Sequence, residues 1–124
     1  MPERRAQVGH LLDPNNHQAQ RQFEKLGKLT NKACSKTGGV LEFFFGNKQA
    51  KQLEAKLANL SPAEFMAFQE YYYMQNGVPL YDKLSATGSG RTSSSGINEK
   101  FLDGFVVQSH KAFDWYQGKD CNRA

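Results

Sequence analysis

The segment from residue 61 to residue 77 constrains the fold most, because it combines a strong helix start with too many large apolar residues for a surface helix. Ser61, Pro62 and Glu64 form a capping-box pattern, and Gly77 provides a C-terminal stop. The large apolar and aromatic residues between these signals are Phe65, Met66, Phe68, Tyr71, Tyr72, Tyr73 and Met74. A helix that is apolar over so much of its circumference is predicted to be the central helix of a bundle.

Two tyrosines of this helix leave a second interpretation open. At roughly 100° per residue, Tyr71 and Tyr73 point to either side of Tyr72. We expect their phenol groups to reach polar partners at the edges of the core. The alternative is that they face a protein or stacked bases, which makes both tyrosines candidate partner-contact residues.

Apolar residues also recur at helical spacing in other parts of the chain. Asn16, after a turn cluster, and Asn47 are both placed to cap helices. The predicted main helices are 16–36, 47–60, 61–77 and 97–117, with a short helical turn at 39–46 and another short segment at 80–86. No internal repeat and no convincing alternation of strands is present, so the sequence predicts an all-α fold.

The predicted architecture is a single-domain bundle of four main helices plus one or two short helical turns. A chain of 124 residues fits one domain, because domains cluster at roughly 100 to 150 residues. Residues 1–15 lack clear periodicity and are predicted to be a loose N-terminal arm. The helical domain is predicted at 16–118, with a flexible Gly/Ser loop at 86–96, and residues 119–124 are predicted to be a tail.

The sequence has no apolar run long enough for a signal peptide or for the roughly 18 residues of a membrane span. It therefore predicts a soluble protein without integral membrane insertion, cytoplasmic by default. Cys34 and Cys121 match no metal-binding spacing, and both a disulfide and two reduced thiols stay open. No cofactor is predicted.

The strongest positional signal is a row of cations on the first predicted helix. Of the net charge of +4, the excess lies in residues 1–56, which hold ten Lys or Arg against five acidic residues. Five of these cations recur every three or four residues, within a sector of about 80°: Arg21, Lys25, Lys28, Lys32 and Lys36. Lys48 and Lys51 are placed to extend the row. This pattern is typical of a surface that binds phosphates or an acidic protein surface, and the alternative is an ordinary solvated helix face.

A Gly/Ser-rich stretch, residues 88–96, precedes the last helix and contains Arg91. A helix N-terminus with a nearby cation favours an anion, so Arg91 is a candidate anion-binding residue. The glycine spacing matches no phosphate-binding motif. We therefore expect mainly a connector that lets the last helix pack back on the bundle.

Acidic residues surround a histidine on the last predicted helix. His110 and Asp114 are spaced i and i+4, and Asp103 lies two turns earlier. These side chains could hold a divalent metal, or a carboxylate could orient His110 as a general base. His10 or His17 could also meet His110 in space. The alternative is a solvated acidic face without chemistry.

The leading hypothesis is a small helical binding module that engages an anionic partner, nucleic acid or an acidic protein surface, through the basic face of its first helix. The first alternative is a small hydrolase, such as a nuclease or toxin-like domain, that uses His110 with Asp103 or Asp114. The second alternative is a structural homo-oligomer in which basic and acidic helix stripes pair between subunits.

Overall fold

The computed structural model describes residues 2–34, 40–88 and 97–118, and within these ranges it is helical, with no β-strand. Six helices follow one another in the described ranges: α1 (Pro2–Leu12), α2 (His17–Ala33), α3 (Val40–Ala58), α4 (Pro62–Asn76), α5 (Leu80–Gly88) and α6 (Glu99–Tyr116). The predicted all-α bundle is therefore confirmed. No helix of the described residues is both long enough and apolar enough to cross a bilayer.

Helix α4 is the central helix, as its apolar sequence predicts. Its start is the expected capping box: the Ser61 Oγ accepts from the Glu64 backbone N–H at 3.1 Å, and the Glu64 Oε1 accepts from the Ser61 N–H at 2.8 Å. Gly77, with a φ of 76°, ends the helix in the left-handed conformation that glycine adopts without strain. Helices α1, α2, α5 and α6 all pack against α4.

Aromatic rings join α4 to the helices on either side of it. The Phe23 ring of α2 lies with its centroid 5.8 Å from that of Phe68 and 5.6 Å from that of Tyr71. On the α6 side, the Phe65 and Phe105 centroids are 5.2 Å apart. Ring pairs at these separations add to the stabilisation that burial of their apolar area provides.

The fully buried Phe23 ring predicts a large effect on stability. Phe23→Ala should lower the free energy of unfolding by about 3 to 5 kcal/mol, because it leaves a cavity between α2 and α4. Val107→Ala on α6, where the side chain is 53 % exposed, should change it by less than about 0.5 kcal/mol. Urea unfolding followed by circular dichroism measures both values. A loss below about 1 kcal/mol for Phe23→Ala would contradict the placement of this ring.

Helix α3 differs from the sequence prediction of a separate turn at 39–46 followed by a helix capped at Asn47. The structure has one helix through Gly46 and Asn47, ending at Ala58. A missing N-cap and an interior glycine each change helix stability by only about 1 kcal/mol. Such small effects do not force a break at Gly46 or Asn47, and the second half of the helix is held to the core by the buried Ala50, Leu53 and Leu57.

The N-terminal residues form helix α1 instead of the loose arm expected for residues 1–15. Val8 is buried, and Leu11 and Leu12 pack partly against the core, as α1 lies on α4 and contacts α6. The Arg4 Nη1 donates to the Trp115 carbonyl oxygen at 2.6 Å, and the Arg4 guanidinium lies 5.3 Å from the centroid of the Trp115 ring. A second cation–π contact places the Arg5 guanidinium 5.9 Å from the centroid of the Tyr116 ring. Three apolar residues and two cation–π contacts are a weak signal in sequence, but together they dock the helix.

The docking of α1 can be followed through Trp115, which is the protein's single tryptophan. Val8→Asp places a charge where the side chain is only 8 % exposed, so α1 should detach and the tryptophan emission should shift to the red. Gln7→Asp, at an exposed position of the same helix, should leave the emission maximum unchanged. Equal spectra for Val8→Asp and the wild type would contradict the docking of α1.

The structure describes only the first residues of the predicted Gly/Ser loop. Helix α5 continues to Gly88, so the flexible loop expected at 86–96 does not include residues 86–88. Residues 89–96, the tail at 119–124 and Cys121 lie outside the described residues. Cys34 is buried at the C-terminal end of α2.

Candidate anion-binding face and cleft

The core packing of α2 determines which of its side chains face solvent. The buried residues of α2 form one side of the helix: Ala19, Phe23, Leu26, Gly27, Thr30 and Ala33. The Thr30 hydroxyl is satisfied inside the core, because it donates to the Leu26 carbonyl oxygen at 2.9 Å. The exposed cations on the opposite side are Arg21, Lys25, Lys28 and Lys32, which we call the cation face. Lys36 lies outside the described residues.

One acidic residue, Glu24, accompanies the cation face on α2. Its Oε1 lies 3.2 Å from the Lys28 Nζ, and both side chains are well exposed, at 59 % and 70 %. Exposed pairs at i and i+4 are worth only about 0.3 to 0.5 kcal/mol, so a stronger anionic ligand can displace this contact. The cation face therefore keeps a positive field over about three helical turns.

A cleft of about 500 Å³ lies beside the cation face, between α2 and α3, and we call it the α2–α3 cleft. Its lining is Gln22, Lys25, Leu26, Leu29, Gln52, Lys56, Asn59, Leu60 and Glu64. A second depression of about 580 Å³, lined by Gln18, Arg21, Gln22 and Lys25, continues it toward the N-terminal end of α2. Lys25 of the cation face therefore lines the cleft itself, and Arg21 lies beside the open depression next to it.

The α3 residues that line this cleft were not predicted from the sequence. Lys48 and Lys51, the residues expected to extend the row of cations, are exposed but do not line the cleft. The cation of α3 that does line it is Lys56. Gln52, Lys56 and Asn59 are spaced i, i+4 and i+7, so a helical-face pattern was present. Only the packing of α3 on α2 shows which face of α3 meets the cleft.

Glu64 brings one carboxylate to the cleft, but its hydrogen bonds lie within the protein. One oxygen accepts from the Ser61 backbone N–H in the capping box, and the other accepts from the Gln22 Nε2 at 3.5 Å. The carboxylate also stands at the N-terminus of α4, where the helix dipole partly balances its charge. The other two charged residues that line the cleft are the cations Lys25 and Lys56.

The three predicted catalytic residues all lie on α6. His110 and Asp103 are exposed, and Asp114 is partly buried. His110 lines a groove of about 620 Å³ that neither aspartate lines; it includes Met66, Gln69, Glu70, Tyr73, Pro79, Leu80, Tyr81, Ser109 and Phe113. His10 and His17 do not line this groove either. Among the described residues, no three His, Cys, Asp or Glu side chains lie close enough to hold a metal ion.

The two candidate partner-contact tyrosines differ in exposure. Tyr73 is 50 % exposed and lines the groove beside His110, so it is accessible to a partner. Tyr71 is only 9 % exposed and packs on Phe23, so its prediction as a contact residue is wrong. The cause is that α4 is covered by α2 on the side that Tyr71 faces. Burial, and after it the charge of Glu24, raises the pKa of the Tyr71 phenol.

Tyr72 is the most deeply buried of these tyrosines, at 1 % exposure. Its hydroxyl donates to the Asn31 Oδ1 at 2.7 Å, which links α4 to α2. Burial, with a smaller contribution from Cys34, raises the pKa of Tyr72 to about 12. The neutral phenol is therefore part of the folded core up to strongly alkaline pH.

The Tyr72 phenol predicts an alkaline loss of stability. The ordinary pKa of 10.0 applies in the unfolded chain, so this group's stabilisation is complete below pH 10 and is lost as the pH rises toward 12. Tyr72→Phe removes the titration. The stability advantage of the wild type over Tyr72→Phe should shrink by roughly 2 kcal/mol between pH 9 and pH 12, as measured by urea unfolding. A difference that stays constant over this range would contradict the raised pKa.

The N-terminus of α6 is capped by a residue of the protein itself, Asn98. The helix begins at Glu99, two residues after the predicted start at Ile97, and the Asn98 side chain accepts from the Phe101 backbone N–H at 2.9 Å. Glu99 adds a carboxylate to the first turn. The Asn98 side chain and the Glu99 carboxylate therefore already lie where the dipole of α6 would attract an anion. Arg91 lies outside the described residues, so its anion-binding role stays a prediction.

No protein-family model matches the chain, and no curated protein or solved structure is similar to it at a significant level. A functional proposal for this protein therefore depends on the geometry of its own residues.

Proposed function

We propose that this protein is a small helical binding module that engages an anionic macromolecule through the cation face of α2. The single observation that carries the proposal is the exposure of Arg21, Lys25, Lys28 and Lys32 on the side of α2 opposite the core. Exposed lysines act as compact point charges that accept many anionic shapes. Binding of this kind releases counterions and weakens as the salt concentration rises.

The α2–α3 cleft supports the same proposal, because it adds concavity to charge. Lys25 belongs both to the cation face and to the cleft, and Lys56 adds a cation from the opposite helix. Low-dielectric walls beside a charged cleft concentrate the field that an approaching anion meets. A flat solvated helix face does not concentrate the electrostatic field in this way.

The two alternative functions have less support from the geometry. The hydrolase needs His110 with Asp103 or Asp114, and the groove beside His110 is lined by neither aspartate. The homo-oligomer needs a sustained acidic stripe, but the exposed side of α6 interleaves Glu99 and Asp103 with the exposed Lys100 and Lys111. Both alternatives remain predictions from the sequence.

A charge-matched pair of double variants tests the binding face. Lys25→Glu with Lys32→Glu and Lys100→Glu with Lys111→Glu each change the net charge from +4 by four units, to 0. The first pair should weaken the binding of labelled polyglutamate or a 20-nucleotide DNA by about tenfold or more at low salt, whereas the second should change it by less than about threefold. Fluorescence anisotropy at 25 to 200 mM NaCl measures the affinities.

Two results would contradict the proposal. The first is binding that does not change with salt, since contacts with a polyanion must release counterions. The second is an equal loss of affinity in the α2 and α6 variants, because that would reflect net charge and not a face.

A further inference from the structure

The α2–α3 cleft has a chemical pattern that narrows the class of anionic partner. Its floor is formed by three leucines, Leu26, Leu29 and Leu60, and Leu29 and Leu60 are only partly buried. Lys25 stands on the α2 side and Lys56 on the α3 side. An occupant of this cleft therefore meets apolar surface, one lysine from each helix, and the Glu64 carboxylate, whose oxygens already accept hydrogen bonds from Ser61 and Gln22.

The length of the cleft fits a short helix. With its continuation toward the N-terminal end of α2, it extends along that helix from Gln18 to Leu29. The eleven helical steps from Gln18 to Leu29 correspond to roughly 16 Å, which is about three helical turns of a bound segment. A helix that docks in a groove presents apolar residues at i, i+3, i+4 and i+7, and a leucine floor is complementary to such a row.

The lining favours a protein partner over a nucleic acid. None of the cleft's lining residues is aromatic, whereas proteins that hold single strands stack the bases on aromatic side chains. The three leucines have no counterpart in a sugar–phosphate backbone, which offers charge and hydroxyl groups only. An acidic amphipathic helix matches both parts of the cleft, because its apolar row covers the leucines and its carboxylates reach the lysines.

We propose that the α2–α3 cleft binds an acidic amphipathic helix of another protein, with leucine-like side chains on the floor and carboxylates beside Lys25 and Lys56. This inference rests on the proposed function, since it names the class of anion that the cation face attracts. The cation face steers the partner, and the leucine floor selects a segment with an apolar row.

Three fluorescein-labelled probes distinguish binding of an acidic amphipathic helix in the cleft from general binding of anions to the cation face. The first is an 18-residue peptide with leucine at i, i+3, i+4 and i+7 and glutamate at most other positions. The second has the same composition in scrambled order, and the third is polyglutamate, which has charge but no leucine. We expect the amphipathic peptide to bind about tenfold more tightly than the scrambled peptide in fluorescence anisotropy at 100 mM NaCl.

A variant that fills the cleft tests the location. Gln52 is exposed and lines the cleft, so Gln52→Trp blocks the floor without removing a cation or a core side chain. It should lower the affinity for the amphipathic peptide by at least about tenfold and change that for polyglutamate by less than about threefold. Gln75→Trp, at an exposed position near the other end of α4, is the matched control and should affect neither probe. Circular dichroism confirms that both variants are folded.

The outcomes distinguish this inference from the proposed function. Equal affinities for the amphipathic and scrambled peptides, or unchanged peptide affinity in Gln52→Trp, would overturn the inference, while salt-dependent polyglutamate binding would leave the proposed function standing. Tighter binding of a 20-nucleotide single-stranded DNA than of the amphipathic peptide would overturn it in favour of a nucleic acid. Failure to bind any of these polyanions would overturn both proposals.

Discussion

The whole structure depends on covering helix α4, whose aromatic side chains extend over most of its circumference. Helices α1, α2, α5 and α6 provide that cover. The contact of Phe23 with Phe68 and Tyr71 joins α2 to α4 and sets the rotation of α2 about its own axis. Because this rotation puts the apolar side of α2 into the core, its cations must face solvent. The candidate binding face is thus a direct consequence of the core.

The parts of the fold that the sequence predicts correctly depend on signals within one helix. The start of α4 needs only Ser61, Pro62 and Glu64, and its end needs only Gly77. The exposure of Lys25 and the other cations on α2 follows from the 3.6-residue period that also buries Phe23. Such signals can be read from neighbouring residues without knowing how the helices pack.

The parts that sequence reasoning missed depend on contacts between helices. Helix α1 is held by Val8 and by Arg4 on Trp115, a partner more than a hundred residues away. The burial of Tyr71 depends on the position of α2. The α2–α3 cleft needs Lys56 and Leu29 to face the same space, which the periodicity of either helix alone does not specify. Pairing between helices, and not local propensity, determines these features.

The most direct test of the account is to map the bound anion on the folded protein. Amide chemical shifts recorded by NMR during a titration with polyglutamate report which helices meet the ligand. The account predicts that the largest changes lie in α2 from Arg21 to Lys32, with little change in α6. Changes concentrated on α6, or around Tyr73 and His110, would contradict the assignment of binding to the cation face and its cleft.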